Sequence, residues 1–393
     1  MSAAVTMDPA RPVLQNACVA VEGTRIASVG QEHPRGEFDR VIDGQGKSSA
    51  ARPGQLPHPC THGLHAPGHG MGSRPAQHWL NDYIFPAYEP GRTLRCVAAG
   101  TALGLAEMIA SGTTCIADMY MHTGAVALDG AGVRRQRQPV LRRGMFRRAG
   151  GFSPDARGDR LEPGSALTVW AERRGGRARS AWTPPIRAEC TSSPSSLWSG
   201  WPAMPRSTGL GMHVHVSETR STVQVLPPKI WQDSGGPVGP VRRVGQRRHS
   251  RPLCLGERRR YGADGQRNIT AVHNPVSNLK LASGAARVPR LLERGVNVAL
   301  GTDGVASNNS HDLFGDQAGR LCSQGSTAWA AAMTARRALE MATINGARAL
   351  RRATGVIARA KNQRTTVLVD LALPNLFPCR CGGFGLLGGA PTW

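Results

Sequence analysis

A short apolar run that stops next to an acidic residue constrains the fold of this chain more than any other feature. Residues 298–301 (VALG) predict a buried strand. Gly304 and the Ser/Asn cluster at 307–309 then predict a loop. Asp303 therefore lies where a buried strand ends, which is where catalytic residues lie in barrels of alternating strands and helices. The other interpretation of this stretch is that Asp303 caps the helix that follows it.

A second pattern places two histidines and a glutamate close together upstream. His213 and His215 alternate with valines, so they share one face of a predicted strand, and Glu218 follows at its end. Histidine is a metal ligand, and a nearby glutamate can transfer protons for metal-bound water. Histidine pairs on strands are often only packed or exposed. Combined with Asp303, however, this pair indicates a site suited to metal-dependent hydrolysis.

The elements around these motifs alternate between helix and strand. Apolar residues recur at helical spacing over residues 93–111, and Gly112 predicts the end of that helix. Residues 113–118 (TTCIAD) predict a strand, and residues 285–295 predict a helix that leads into the Asp303 strand. A helix followed by a strand is the repeating unit of a parallel barrel.

Several stretches of the chain closely resemble the amidohydrolase superfamily, in the branch of the 5-methylthioadenosine/S-adenosylhomocysteine deaminases and related chlorohydrolases. They are HVHVSET at 213–219, AVHNPVSNLKLASG at 271–284 and VNVALGTDGVASNN at 296–309. MATINGARAL at 341–350 is similar to the family's closing barrel helix. The resemblance implies an α/β fold: the TIM-like (β/α)8 barrel of a metal-dependent hydrolase, with a small β-sandwich built from both termini.

The same resemblance implies three parts of the chain. Residues 1–50 form the N-terminal part of the β-sandwich, and residues 51–350 form the amidohydrolase barrel. Residues 351–393 form the C-terminal part of the sandwich and a tail. The opening residues predict short strands joined by turns, and Thr366–Asp370 is the expected returning strand.

The resemblance also implies a site that holds one divalent metal, usually zinc (Zn2+), with Fe2+ as the other option. Its ligands would be His62, His65, His215 and Asp303. Metal binding lowers the pKa of water, and Asp303 would accept a proton from that water. Glu218 would protonate a ring nitrogen and then help the amine to leave. His273, Asn274 and Asn278 lie in the family's HNP turn and are expected to be structural loop formers near the site.

The histidine motif departs from the family's pattern. The family has His-x-His after its first barrel strand, whereas residues 53–72 hold four histidines without that spacing. His62 and His65 are the best matches among them, and a flexible His/Gly/Pro loop is the other interpretation. The family's strand-end histidine, which polarises the metal-bound water, has no counterpart in residues 250–268.

Residues 78–92 resemble the helix and loop that line the family's substrate pocket. Trp79 would lie against the purine, and Glu89 would bind ribose hydroxyls, although it stands one position beyond the family's glutamate. The predicted reaction is hydrolytic deamination of an adenosine derivative such as 5-methylthioadenosine or S-adenosylhomocysteine. The alternatives are a chlorohydrolase, a deaminase of guanine or another cyclic amine, or an inactive remnant that binds polyanions non-specifically.

The net charge of +23 would normally indicate a polyanionic partner, but most of the excess lies in residues 134–210 and 221–268. Arg, Gly, Pro and Ser dominate these segments, and apolar periodicity is weak. One interpretation is a pair of disordered, Arg-rich insertions. The interpretation that we favour is coding DNA read in a shifted frame, since GC-rich codons read out of frame give mostly these residues. The segments lack the interleaved aromatics of a nucleic-acid site.

Cysteine usage and hydropathy bear on the compartment. The nine cysteines are scattered, odd in number and without CxxC spacing, which favours a reducing cytoplasm. The chain has no opening that resembles a signal segment, and no apolar run reaches about 18–20 residues. We therefore expect a cytoplasmic enzyme with a small-molecule substrate, no membrane association and no specific nucleic acid. A homo-oligomer is left open.

Overall fold

The computed structural model describes twelve stretches of the chain. The described residues are 3–23, 25–51, 54–55, 94–118, 136–139, 145–148, 151–154, 270–283, 286–313, 332–349, 355–359 and 366–372.

The two ends of the chain meet in a four-stranded sheet. Its strands, in spatial order, are β13 (Thr366–Asp370), β5 (Lys47–Ala51), β1 (Ala3–Val5) and β2 (Val13–Gln15). Strand β1 runs parallel to β5 and antiparallel to β2, and β13 runs antiparallel to β5. The returning strand expected at Thr366–Asp370 is therefore confirmed.

A hairpin and a tight turn complete the N-terminal region. Strands β3 (Cys18–Glu22) and β4 (Arg25–Gly30) pair antiparallel, and Gly23 in the turn between them has φ of 55°. A second turn precedes β5, where the Lys47 N–H donates to the Gly44 carbonyl at 3.0 Å. Both turns contain a left-handed glycine, since Gly46 in the second turn has φ of 71°.

The helix expected over residues 93–111 is confirmed as α1 (Leu94–Ala110). Gly112 follows it with φ of 87°, and the Thr113 N–H reaches back to the Met108 carbonyl at 2.7 Å. This is a Schellman ending, which requires a left-handed residue after the helix and so explains the glycine.

Helix α1 connects two strands of a parallel sheet. The sheet order is β6 (Gly54–Gln55), β7 (Cys115–Asp118) and β8 (Gln136–Pro139), and both pairings are parallel. Leu105 and Met108 of α1 form a buried cluster with Ile116 of β7. Two further strands, β9 (Met145–Arg148) and β10 (Gly151–Pro154), pair antiparallel with each other.

A second strand–helix–strand unit lies later in the chain. Strands β11 (Thr270–His273) and β12 (Asn297–Leu300) are parallel, with α2 (Pro275–Lys280) and α3 (Val288–Leu292) between them. The last three residues of β12 are fully buried, which confirms the buried strand predicted before Asp303.

Helix α3 ends by the same device as α1. Gly295 has φ of 71°, and the Val296 N–H donates to the Leu291 carbonyl at 3.1 Å. The helix expected over residues 285–295 is therefore confirmed in a shorter form, and the same left-handed glycine turns the chain directly into β12.

The last helices of the described region are α4 (Val305–Asn308), α5 (Ala335–Ala342) and α6 (Ile344–Ala349). Helices α5 and α6 pack against β12, and α4 contacts α2. The side-chain amide of Asn345 donates to the Val298 carbonyl at 2.8 Å, which fastens α6 to the strand. Helix α6 also contacts β6, so one helix touches both an early and a late strand of the parallel set.

One continuous apolar core joins the terminal sheets to this late unit. Its buried members from the chain ends include Val5, Met7, Ile26 and Ile357. Those from the later elements are Val288, Leu291, Val296, Val298, Leu300, Leu313, Met333, Ala338, Leu339, Met341 and Ala342. In the described part of the chain, no helix has the length and apolar character needed to cross a membrane.

Candidate metal-binding and catalytic site

Asp303 lies in the loop between β12 and α4, where the sequence places it. Its φ is 62°, in the left-handed region, which costs a residue other than glycine about 1 kcal/mol and which aspartate tolerates better than most. The Gly301 N–H donates to the carbonyl of His273 at 3.1 Å, so the ends of β11 and β12 are fastened together just before Asp303. The carboxylate therefore stands at the carboxyl ends of two parallel strands.

Both oxygens of the Asp303 carboxylate accept a hydrogen bond. The Ser277 hydroxyl donates to Oδ2 at 2.7 Å, and the Gly304 N–H donates to Oδ1 at 2.8 Å. A carboxylate oxygen has two lone-pair directions, so each oxygen keeps one that these two donors do not use. The carboxylate is thus oriented and still able to bind a cation or to accept a proton.

The interpretation of Asp303 as a helix cap is wrong. Helix α4 has Gly304 as its N-cap, and its first turn has no side-chain capping hydrogen bond. The carboxylate bonds instead to the N–H of Gly304 and to Ser277 of another helix, because Asp303 lies one residue before the cap position.

Ser277 belongs to a short chain of buried hydroxyls. Pro275 begins α2 directly after β11, and Ser277 is therefore in the first turn of that helix, where its side chain is 2% exposed. Its hydroxyl lies 2.9 Å from that of Ser307, which in turn lies 3.1 Å from the Gly304 carbonyl. Since a hydroxyl donates only one proton, Ser277 gives its own to the Asp303 carboxylate, and Ser307 shares its own between the Ser277 oxygen and the Gly304 carbonyl.

Polar side chains fix the remainder of the loop. The Asn308 amide donates to the Thr302 carbonyl at 2.8 Å, and the Thr302 hydroxyl reaches the Asp303 carbonyl at 3.0 Å. Lys280, at the end of α2, donates to the side-chain oxygen of Asn309. Partial burial lowers the pKa of Lys280. Helix α2 is therefore bonded to Asp303 before α4 and to Asn309 directly after α4.

The HNP turn occupies the place expected for a structural element near the site. His273 is the buried last residue of β11, and the Asn274 carbonyl accepts the Asn278 N–H at 2.9 Å in the first turn of α2. Asn278 in turn accepts the Ser283 N–H at 2.8 Å where that helix ends. The side-chain oxygen of Asn274 is buried, and no described residue hydrogen-bonds to it.

A contact between distant parts of the chain was not predicted. Glu107 of α1 accepts the backbone N–H of His311 at 2.8 Å, and the fully buried imidazole Nε2 lies 3.9 Å from the other carboxylate oxygen. This contact joins the early strand–helix–strand unit to the segment that follows Asp303. The two residues are 204 positions apart, so no local pattern could have indicated it.

Comparison with known proteins places this site in a family. The profile of the Amidohydrolase family matches residues 255–362, which include both Ser277 and Asp303. The 5'-deoxyadenosine deaminase of Methanosarcina acetivorans is 34% identical over 385 residues, covering 95% of this chain and 84% of that protein. The chain belongs to the amidohydrolase family. A 5-methylthioadenosine/S-adenosylhomocysteine deaminase of Thermoanaerobacter pseudethanolicus is 31% identical over 388 residues, covering 96% of this amidohydrolase and 85% of its relative.

Solved structures show the same fold. An adenosine deaminase from Xanthomonas campestris with bound zinc has a TM-score of 0.79 at 22% identity, covering 97% of this chain and 86% of its own. The atrazine chlorohydrolase TrzN from Arthrobacter aurescens TC1, complexed with zinc, has a TM-score of 0.81 at 16% identity, covering 98% and 90%. These similarities, which cover nearly all of the chain, support the amidohydrolase fold.

Most of the predicted site residues of this amidohydrolase lie outside the described residues. Asp303 is the member that the structure describes, and its placement at a strand end is confirmed. His62, His65, His215, Glu218, Trp79 and Glu89 fall in the other stretches and stay predictions. Within the described stretches, no three His, Cys, Asp or Glu side chains come together as a metal site.

Proposed function

We propose that this amidohydrolase catalyses the hydrolytic deamination of an adenosine derivative, with 5'-deoxyadenosine, 5-methylthioadenosine and S-adenosylhomocysteine as the candidate substrates. The observation that carries the proposal is the Asp303 carboxylate, held by two donors at the end of a buried parallel strand. Deamination is the proposed reaction because relatives named for it are 31–34% identical over most of this chain.

The proposed architecture is a (β/α)8 barrel over residues 51–350, closed by a β-sandwich from residues 1–50 and 351–393. Parallel pairing in β6–β7–β8 and in β11–β12 supports the barrel, as does the contact of α6 with both β12 and β6. Pairing of β13 with β5 supports a terminal domain made from both ends of the chain.

The residues proposed to hold the metal are His62, His65, His215 and Asp303. Asp303 fits this role because its carboxylate is oriented by two donors and retains lone pairs that those donors do not use. Three histidines and one carboxylate are ligand types that zinc accepts, and Fe2+ accepts imidazole and carboxylate as well. When bound, zinc lowers the pKa of a water molecule to about 7, so that a nucleophile is available at neutral pH.

The protein's own groups then move the protons. In this proposal Asp303 accepts the proton that the attacking water gives up, and Glu218 delivers a proton to the ring nitrogen beside the reacting carbon. Glu218 subsequently helps the amine to leave as ammonia. Trp79 packs against the purine and Glu89 binds the ribose hydroxyls, so that the amino-bearing carbon is held at the strand ends.

The test is a substrate panel assayed for ammonia release with the zinc-loaded protein. We expect kcat/KM to be highest for one of the three adenosine derivatives, because the sugar-binding glutamate and the aromatic side chain suit a nucleoside. Guanine and atrazine are matched comparisons, since the chlorohydrolase branch has the same fold. Chloride release from atrazine with no ammonia from any nucleoside would reassign the activity to that branch.

An inactive remnant is the remaining alternative, and the same preparation tests it. A remnant would bind no zinc, release no ammonia, and bind nucleic acid with an affinity that falls steeply as salt rises. Bound zinc together with ammonia release excludes this alternative.

A further inference from the structure

The hydroxyl of Ser277 makes the contact that links the Asp303 carboxylate to a different helix. Of the two donors to this carboxylate, the Gly304 N–H belongs to the next residue and moves with the loop. Ser277 is 26 positions away and is carried by α2, which follows directly from β11. The Ser277 bond is therefore the one that fixes the carboxylate relative to the neighbouring strand.

The surroundings of Ser277 restrict the direction of its hydroxyl. The side chain is 2% exposed, so water does not compete for its proton, and the Ser307 hydroxyl lies 2.9 Å from it. A serine in the first turn of a helix usually bonds to the backbone of that turn. Here its bonds run to the side chains of Asp303 and Ser307.

The backbone at Asp303 makes such a restraint useful. A left-handed φ of 62° is an uncommon conformation for aspartate, and it costs about 1 kcal/mol. A conformation of this kind persists where surrounding contacts over-determine it. The side chain of Asp303 has torsions of its own, so a fixed backbone alone does not determine where the carboxylate oxygens lie.

We propose that Ser277 is a positioning residue for Asp303: its hydroxyl fixes the orientation in which the carboxylate meets the metal and the attacking water. Ser307 supports this role because its hydroxyl lies within hydrogen-bond distance of the Ser277 oxygen. The inference rests on the proposed function, because it assigns Asp303 to the metal. In metal sites, hydrogen-bonding partners of the ligands typically change metal affinity or activity about 10–100-fold when removed.

The test compares Ser277→Ala and Ser277→Thr in the zinc-loaded full chain. Zinc affinity is measured by competition with a chelator, and kcat and KM by ammonia release. We expect Ser277→Ala to weaken zinc binding about 10–100-fold and to lower kcat with little change in KM. Ser277→Thr keeps the hydroxyl and should recover most of both quantities.

Ser283→Ala is the matched control. Ser283 is also a buried serine, 5% exposed, and it lies just beyond the end of the same helix. Its loss should leave zinc affinity and kcat within about twofold of the parent, since the donors to the Asp303 carboxylate are Ser277 and Gly304. If Ser277→Ala fails to fold, Ser277→Val replaces it and is compared with Ser277→Thr, because valine has nearly the shape of threonine without its hydroxyl.

Several results would overturn the inference. Zinc affinity and kcat that are unchanged in Ser277→Ala, or lowered equally by Ser283→Ala, would leave Ser277 with a structural role alone. A parent protein that binds no zinc would overturn both this inference and the proposed function. A parent that binds zinc through Asp303 but deaminates no substrate would overturn the function alone, and the zinc affinities would still decide the role of Ser277.

Discussion

The two parallel strand–helix–strand units of this chain differ in what they place at their strand ends. The early unit, β6–α1–β7, is held by apolar packing of Leu105 and Met108 against Ile116. The late unit, β11–α2–α3–β12, has shorter helices, and its strand ends carry a polar network centred on Asp303. Helix α1 of the early unit and helix α3 of the late unit each end at a left-handed glycine. In both units, residues close together in the sequence determine the helices and strands, whereas contacts between elements form the site.

The largest effect is expected at the polar end of the late unit. Asp303→Asn should lower kcat/KM about 1000-fold or more, because an amide is a poor metal ligand and cannot accept the proton. Stability should change by less than about 2 kcal/mol, since asparagine also tolerates the left-handed backbone. The checks are ammonia release and denaturant unfolding.

Asp370→Asn is the matched control for that variant. Asp370 also accepts the backbone N–H of a nearby residue, at 3.0 Å, but lies at the end of β13 in the terminal sheet. Its activity should stay within about twofold of the parent, as for most surface changes. Equal losses of activity in Asp303→Asn and Asp370→Asn would show that the Asp303 site is no more sensitive than the terminal sheet.

The next largest effect is expected in the buried apolar cluster of the early unit. Leu105→Ala should lower the free energy of unfolding by about 2–5 kcal/mol, because the side chain is 1% exposed and its loss leaves a cavity. Leu103 in the same helix is 52% exposed, so Leu103→Ala should cost less than about 0.5 kcal/mol. The turnover of folded Leu105→Ala should be unchanged. A large loss of turnover at full folding would mean that the early unit shapes the site.

A smaller and equal effect is expected at the two helix ends. Gly112→Ala and Gly295→Ala should each cost about 1 kcal/mol, because alanine is strained at φ of 87° and 71°. No atom lies within 4 Å of a Cβ built on Gly295, so its cost is conformational. Gly30→Ala is the control, since its Cβ also meets open space without a left-handed φ. Thermal unfolding measures the stability of all three variants. If stability is unchanged in Gly112→Ala or Gly295→Ala, the left-handed glycine is not what ends that helix.

The smallest effect is expected at the contact that joins the two units. Glu107→Ala removes the acceptor of the His311 N–H and should cost about 0.5 kcal/mol, at the low end for a hydrogen bond. Glu107→Gln keeps an acceptor and should cost less than about half of that. The side chain of Glu107 is 43% exposed, which limits the contribution of its charge. A larger loss for the glutamine variant than for the alanine variant would show that the contact is wrongly assigned.

The sequence allowed the framework to be predicted because its signals are local. The buried strand before Asp303, the helix of residues 94–110 and the glycines that end both helices all follow from a few neighbouring residues. The bond from Ser277 to Asp303 spans 26 positions, so it depends on how β11 packs beside β12. The capping interpretation failed because a left-handed φ at Asp303 cannot be read from residue types alone.

The Arg-rich segments present a separate prediction. Alignments to the relatives cover about 95% of the chain, so they extend across residues 134–210 and 221–268. We expect resequencing of the coding DNA across these segments and residues 47–75 to reveal frame changes that restore a His-x-His motif and a strand-end histidine. An unchanged frame would favour the Arg-rich insertions, and the existing histidines of residues 53–72 would then be the available ligands.

The central claim is that Asp303 is the metal-binding carboxylate of a working deaminase. The most direct measurement is zinc content and ammonia release on one preparation of the purified chain, with Asp303→Asn alongside. We expect one zinc per chain and one ammonia per nucleoside consumed. Bound zinc and ammonia release should both be lost in Asp303→Asn. Zinc and ammonia release that persist in Asp303→Asn, or that are absent from the parent chain, would contradict it.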